Sequence, residues 1–162
     1  MSLKLKKYFR LPNTPKNRLK EGGRRIKKKN LNVNPFFSII TVVLNNEKFI
    51  EQTIKSVLNQ KYKNFEYIII DGGSTDSTIE IIKKYEKKID YWVSGKDKGL
   101  YDAFNKGMSV AKGEFIGIIN SDDLYTKNSL SIISKYVLSN KKRDFSFGSV
   151  KKHWGILHGY RP

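Results

Sequence analysis

Two adjacent carboxylates, Asp122 and Asp123, close the run IGIINSDD (Ile116–Asp123). The residues before them read as a buried parallel strand, which is a nearly continuous apolar run. Ligands bind where such strands stop, at their carboxyl ends. A pair of acids there, with Ser121 just ahead, suits a hard divalent cation, Mg2+ or Mn2+, that takes carboxylate oxygen and shares phosphate oxygens of a ligand. Such a cation neutralises a diphosphate leaving group. The same pair also reads as a helix cap followed by a first-turn acid. Position favours the site: Asn120 and Ser121 add polar groups, and a second strand, YIIID (Tyr67–Asp71), also ends in an acid.

Asp71 runs directly into Gly72-Gly73-Ser74-Thr75-Asp76. Gly72 and Gly73 let the backbone approach a ligand closely or take positive φ. The Asp71 carboxylate is then a candidate acceptor for a nucleobase N–H. The competing reading is an Asx-turn leading to a helix capped at Asp76. The stretch is no GxxxxGK phosphate loop, because no lysine closes it. Thr41, Val43 and Asn45 alternate along the end of an earlier strand, so they share one face. That face is expected either to meet base and ribose or simply to turn polar where the strand ends. The segment from Asp97 to Gly107, DKGLYDAFNKG, is dense in polar groups. Lys98 or Lys106 suits a phosphate, and Asp102 suits ribose or sugar hydroxyls; a solvated helix face is the alternative. His153 and His158, the only histidines, are candidates for a metal ligand or proton handler, though a lone histidine is more often structural.

These residues need a scaffold, and the pattern supplies one. Phe37–Leu44 is β-branched and reads as a buried strand. Asn45 or Asn46 would cap a helix from about Glu47 to Asn59, with Phe49, Ile50, Thr53, Ile54, Val57 and Leu58 on one face. Phe65–Ile70 is the next strand. A helix from about Ser77 to Lys87 follows, capped from among Ser74, Thr75, Asp76 and Ser77 and burying Ile79, Ile82 and Tyr85. Tyr91–Ser94 is a short strand, Gly99–Ala111 a helix, and Glu114–Asn120 a strand. A helix over about 128–138 buries Leu130, Ile133 and Val137, and Asp144–Val150 forms a last strand. Strand–helix alternation at this spacing predicts an α/β domain: a mostly parallel central sheet with helices on both faces.

The 162 residues suffice for one domain with a substantial core. With no cysteine, disulfide frameworks and Cys-ligated zinc are excluded. No apolar run nears the roughly 18–20 residues of a spanning helix, and no signal-peptide core follows the basic start. A soluble, cytoplasmic chain is expected. The formal charge of +17 is uneven: residues 1–34 hold twelve Lys/Arg against Glu21 alone. This stretch reads as a flexible basic arm, able to attract anionic lipid at the cytoplasmic membrane face. Phosphate backbones attract any basic segment, but Tyr8 and Phe9 are the arm's only rings, so no stacking surface for nucleic acid is expected.

As a group, SIITVVLNNEKFIEQTIKSVLNQKYKNFEYIIIDGGSTDST and then DKGLYDAFNKGMSVAKGEFIGIINSDD resemble family 2 glycosyltransferases of the GT-A fold. The resemblance covers about Phe36 to Leu138 and is nearest to bacterial transferases of polysaccharide, capsule and lipopolysaccharide assembly. It implies a Rossmann-like nucleotide-sugar domain over 35–150. It also implies inverting transfer of a sugar from a UDP- or GDP-type donor to a glycan or lipid-linked acceptor. By position, Thr41, Val43, Asn45 and Glu47 would line the nucleotide pocket, together with Gly73, Asp102 and Ser121. Asp71 would hold the base, Lys98 would lie near the diphosphate, and Asp122 and Asp123 match the DXD-type metal motif. Where many relatives carry a second Asp after the strand, this chain has Gly72. An inverting displacement also needs a general base, which relatives place well beyond the metal motif. The only later carboxylate side chain here is Asp144, a poor candidate, so residues 151–162 are expected to begin a truncated acceptor-side segment.

Two other classes are consistent with parts of the chain. A basic nucleic-acid or anionic-surface module follows from the charge but leaves the strand-end acids without a role. A receiver-like or phosphatase-like domain would take a phosphoryl group on Asp71 or Asp122.

Overall fold

The computed structural model describes residues 20–27 and 34–139. In chain order the elements are β1 (Lys20–Gly22), α1 (Arg24–Lys27), β2 (Phe37–Val43), α2 (Ile50–Leu58), β3 (Phe65–Asp71) and α3 (Thr78–Lys84). They continue with β4 (Tyr91–Ser94), α4 (Leu100–Val110), β5 (Phe115–Asn120) and α5 (Ser129–Ser139). The five strands form one sheet in the order β1-β4-β3-β2-β5. All neighbours are parallel except β1, which lies antiparallel on β4. The α/β architecture expected from the alternation is thus the observed one.

Strand β2 is central because every residue in FSIITVV is apolar or small enough to bury, and all seven are buried. Its two faces feed two cores. Ile39 and Val43 pack with Tyr67, Ile69 and Ile119, beneath Ile50, Ile54 and Val57 of α2, Ile79 and Ile82 of α3 and Leu130 of α5. Ile40 and Val42 pack with Ile68, Ile70 and Val93 beneath Ala103, Phe104 and Met108 of α4. Each fully buried Ile or Val stabilises the fold by about 1.5–3 kcal/mol relative to exposure. The chain moves from β2 to β3 to β4 across one direction of the sheet and then returns, through α4 on the opposite face, to place β5 on the far side of β2. The order therefore reverses at β2, and such a reversal opens a crevice at the carboxyl ends.

The flexible reading of residues 1–34 does not hold for residues 20–27. Lys20 pairs with Ser94 and Gly22 with Trp92, so β1 covers the edge of β4. Charge fixes the strap. Arg24 pairs with Asp90 at 3.0 Å and Lys27 with Glu86 at 3.0 Å. Arg25 pairs with buried Glu66 and donates to the Val110 carbonyl at 2.7 Å. Glu66 also accepts from Ser38 Oγ and from the Lys112 backbone N–H, each at 2.6 Å. The remainder of the arm, the Asp144–Val150 strand, both histidines and residues 151–162 lie outside the described residues.

The helices are close to expectation but shorter at their starts. The N-cap position of α2 is Phe49, with no side-chain cap, rather than Asn45 or Asn46. Phe49 is 49% exposed and not part of the buried face. In α5 Leu130 is buried, whereas Ile133 and Val137 are only half-buried.

Candidate functional site

The carboxyl ends of four strands meet along one edge. Val43 lies beside Asp71, Val42 beside Asn120, and Asp71 beside Ser94. The loops leaving these strands are tied to one another by side chains. Asn45 takes positive φ (50°), tolerated by a short polar side chain. Its backbone N–H donates to Ser74 Oγ and its Oδ1 accepts from the Thr75 N–H, both at 2.8 Å. Asn46 donates from its backbone to Thr78 Oγ1 at 3.0 Å and from Nδ2 to Ser121 Oγ at 2.7 Å. The Glu47 N–H donates to Asp76 Oδ2 at 3.1 Å, and its carboxylate accepts from the Ser77 N–H at 2.9 Å. These residues hold the β3 loop instead of capping α2. From α2, Thr53 Oγ1 lies 2.8 Å from the Ser121 carbonyl and 2.9 Å from that of Asp123.

Asp122 and Asp123 project from this edge as exposed residues. Asp123 Oδ2 accepts from Asn120 Nδ2 at 3.1 Å, and the Asp123 N–H donates to the Asn120 carbonyl at 3.2 Å, a turn that closes the strand. Among the described residues no cluster of three or more His, Cys, Asp or Glu forms a closed metal cage. The donor set is two hard carboxylates open to solvent. That set fits a cation such as Mg2+ that is bound through one or two carboxylates and completes its shell with ligand phosphate and water.

Asp71 is placed differently from the expectation. It is 1% exposed, and protein donors occupy its carboxylate. Oδ2 accepts from the N–H groups of Gly73 and Ser74, each at 2.9 Å, and from Ser94 Oγ at 2.7 Å. Oδ1 accepts from Ser74 Oγ. An ionised carboxylate offers about four lone-pair sites, so this group is filled by the turn it organises. Gly73 takes φ 93° to present its N–H there.

Thr41 and Val43 also depart from expectation. Both are buried against the core, with Thr41 Oγ1 3.0 Å from the Tyr67 hydroxyl. Burial pushes that hydroxyl well above its ordinary pKa. A strand sandwiched between helical layers turns both its faces into the core, which is the physical reason these two side chains are buried. Asn45, Glu47, Gly73, Ser121 and the aspartate pair are brought together along the edge.

The loop entering α4 completes it. Asp97 Oδ1 accepts from the Gly99 N–H and Asp102 Oδ2 from the Lys98 N–H, both at 3.0 Å. The Lys98 backbone donor holds the Asp102 carboxyl below its ordinary range; burial opposes this and Lys106 assists it. Lys106 is buried, pairing with Asp102 at 3.0 Å and donating to the Lys96 carbonyl at 3.3 Å. Of the two lysines suited to phosphate, Lys98 is the exposed one. Sequence reasoning missed Ser94, Thr53 and Asp97. The one usable signal was Gly72: a Cβ built there would lie 2.6 Å from Asp97 Oδ2.

A mostly parallel α/β sheet reversing at β2, with helices on both faces, is the GT-A fold, shared with the solved glycosyltransferases below. Residues 38–161 match the profile described as "Glycosyl transferase family 2", and the chain belongs to that family. It is 34% identical over 123 residues to the uncharacterized glycosyltransferase Rv1514c of Mycobacterium tuberculosis, covering 75% of this chain and 45% of the relative. It is 38% identical over 109 residues to an uncharacterized glycosyltransferase of Haemophilus influenzae, covering 65% and 44%. This chain therefore spans under half the length of these relatives. Among solved structures, S. aureus TarS 1-349 in complex with UDP-GlcNAc superposes with a TM-score of 0.60 at 28% identity, over 65% of this chain and 32% of that one. The Pyrobaculum calidifontis mannosyltransferase PcManGT, in complex with GDP-Man and Mn2+, has the same fold at a TM-score of 0.60 and 22% identity, over 65% and 33%.

Proposed function

We propose that this chain forms the donor-binding half of an inverting, metal-dependent hexosyltransferase that takes its sugar from a UDP- or GDP-linked donor. The observation that carries this reading is the exposed Asp122–Asp123 pair at the reversal of the sheet, on loops already tied to those after β2 and β3. A divalent cation on the pair would neutralise the diphosphate as the bond to the sugar breaks. The protein's part is positional. Thr53 holds the Ser121 and Asp123 carbonyls and Asn46 the Ser121 hydroxyl, so the two carboxylates are presented with little freedom. Asn45, Glu47, Gly73 and Ser121 shape the nucleotide side of the crevice. Lys98 supplies positive charge at its mouth, and Asp102, ion-paired to Lys106, is available to a sugar or ribose hydroxyl.

We take the acceptor to be a glycan or lipid-linked molecule in cell-surface polysaccharide biosynthesis; one relative, 30% identical over 120 residues, is named a PGL/p-HBAD biosynthesis glycosyltransferase of Mycobacterium tuberculosis. A general base must take the acceptor's proton. Among the described residues no carboxylate follows Asp123 in the chain, and we assign this role to none of them. We take the work to be cytoplasmic, at or near the membrane face. Among the described residues no helix is long and apolar enough to cross a membrane. Lys27 pairs with Glu86, which the exposed Lys87 and Lys88 follow directly, and such a basic margin suits peripheral contact with anionic lipid. The test is calorimetry of the 162-residue chain with UDP and GDP, with and without Mn2+. Binding should require the metal, and Asp123→Asn should abolish that requirement's benefit. Indifference of every nucleoside diphosphate would remove the reading, and an unchanged Mn2+ response in the variant would remove the assignment of Asp123.

A further inference from the structure

We propose that Asp97, not Asp71, is the carboxylate a bound nucleobase meets, and that the Gly72–Asp97 contact determines which base is accepted. This rests on the donor-site reading above and adds to it a residue and a rule of selection.

The argument begins with supply and demand for hydrogen bonds. A base N–H needs an acceptor with an unoccupied lone pair at the carboxyl edge of the sheet. Asp71 has none within reach: two backbone N–H groups and two serine hydroxyls converge on it, and at 1% exposed its remaining Oδ1 lone pair is closed to a ligand. To receive a base it would surrender one of those bonds and open the turn after β3. Asp97 has the opposite character. It is half-buried, its Oδ1 is held by the Gly99 N–H at 3.0 Å, and its Oδ2 has no hydrogen-bond partner among the described residues. That oxygen stands 2.6 Å from where a Cβ on residue 72 would be, so it lies over the backbone immediately beyond Asp71.

Glycine at position 72 is what makes the arrangement possible. A side chain there would collide with the Asp97 carboxylate, with Cγ at 3.2 Å as well as Oδ2 at 2.6 Å from its first carbon. The loop is also fixed on its other side. The Gly95 N–H donates to the Asp71 carbonyl at 3.0 Å, and Lys106 holds the Lys96 carbonyl at 3.3 Å. Asp97 is thus a rigidly mounted acceptor with one end tethered and the other presented.

A carboxylate in this place selects by hydrogen-bond polarity. Uracil offers an imide N–H at N3, and guanine offers N–H donors at N1 and N2. Cytosine has an N4 amine to donate but presents a lone pair at N3, so a carboxylate placed to meet the uracil N3–H repels it there. The structure therefore assigns uridine or guanosine diphosphates to the pocket and disfavours cytidine diphosphate. A hydrogen bond to a charged group changes affinity by about tenfold to a hundredfold.

The experiment is calorimetry of the full chain with UDP, GDP and CDP in Mn2+, alongside inorganic pyrophosphate as a base-free probe. The native chain should favour UDP or GDP over CDP. Asp97→Asn, whose amide can turn either a donor or an acceptor to the base, should weaken the favoured nucleotide about tenfold to a hundredfold and close the gap to CDP. Its pyrophosphate affinity should not change. Gly72→Ala should give the same loss of selectivity by displacing a carboxylate that is still present. Asp71→Asn should lower the thermal midpoint and leave the UDP:CDP ratio of the folded protein intact. The proposal is overturned if the native chain binds all three nucleotides alike, or if Asp97→Asn retains native selectivity. It is equally overturned if folded Asp71→Asn loses selectivity while Asp97→Asn does not. Failure of every nucleoside diphosphate and of pyrophosphate to bind the native chain would instead refute the donor site itself.

Discussion

Replacing Glu66 with Gln tests the idea that the amino-terminal strap is held by a buried charge. Glu66 is 5% exposed and receives Ser38 Oγ and the Lys112 N–H at 2.6 Å, together with the Arg25 guanidinium. All three partners are donors. Glutamine keeps the shape but offers one acceptor oxygen, and its NH2 must face at least one of those donors. Hydrogen bonds to charged groups contribute about 1.5–3 kcal/mol each, and a buried group left unmatched costs a similar amount. Breaking a buried pair by removing one partner costs about 3–5 kcal/mol. Because glutamine retains part of the network, the expected loss is about 2–4 kcal/mol, at the lower side of that range. At about 2–4 °C per kcal/mol for a chain of this size, the melting midpoint should fall by roughly 5–15 °C. Urea unfolding followed by circular dichroism gives the free energy directly, with an unchanged slope if only stability has moved. Arg25→Met in both backgrounds completes a double-mutant cycle and isolates the pair. A shift under about 0.5 kcal/mol for Glu66→Gln, the size of an ordinary surface change, would refute the reasoning.

Two further outcomes follow from other parts of the molecule. A Cβ at Gly113 would sit 2.5 Å from the Ser38 backbone nitrogen and 2.6 Å from the Phe37 carbonyl carbon, so Gly113→Ala must push β2 aside; we expect a loss of about 1–3 kcal/mol in urea unfolding. The Asp102 carboxyl lies below its ordinary value of 3.8, chiefly through the Lys98 N–H. Its contribution is present above that value and is lost as pH falls through the lower folded-state value. Unfolding free energies measured between pH 5 and pH 3 should therefore decline more steeply for the native chain than for Asp102→Asn, and parallel profiles would discard the assignment.

The central sheet was legible because FSIITVVL and FEYIIID are apolar runs that only a strand buried on both faces can use. The same double burial misled the reading of Thr41 and Val43, since alternation along a strand marks a pocket wall only when one face is free. Strand β1 was invisible: KEG sits among lysines with no apolar period, and it is held by cross-chain pairs such as Tyr91 with Glu21, at 2.8 Å. Asn45 and Asn46 looked like caps because their side chains accept backbone N–H groups. In the fold Asn45 does accept one, but from Thr75, thirty positions away. Asp71 was correctly found at a strand end, yet sequence alone could not count the donors that nearby Ser74, distant Ser94 and a glycine turn bring to it. Asp122 and Asp123 were the easiest to find, because position after an apolar strand is a purely local signal.

The antiparallel strap on β4 has a consequence for how the protein behaves in solution. An uncovered strand margin is a template for adhesion between molecules, and here that margin is shielded on one side by a short, lysine-bearing segment. On the other side β5 pairs only with β2 among the described residues, and Ile116 and Ile118 are 45% and 46% exposed. Any self-association or loss of solubility should therefore be polar in direction, starting at β5, and charged substitutions at Ile116 or Ile118 are the ones to make when the protein must be kept at high concentration.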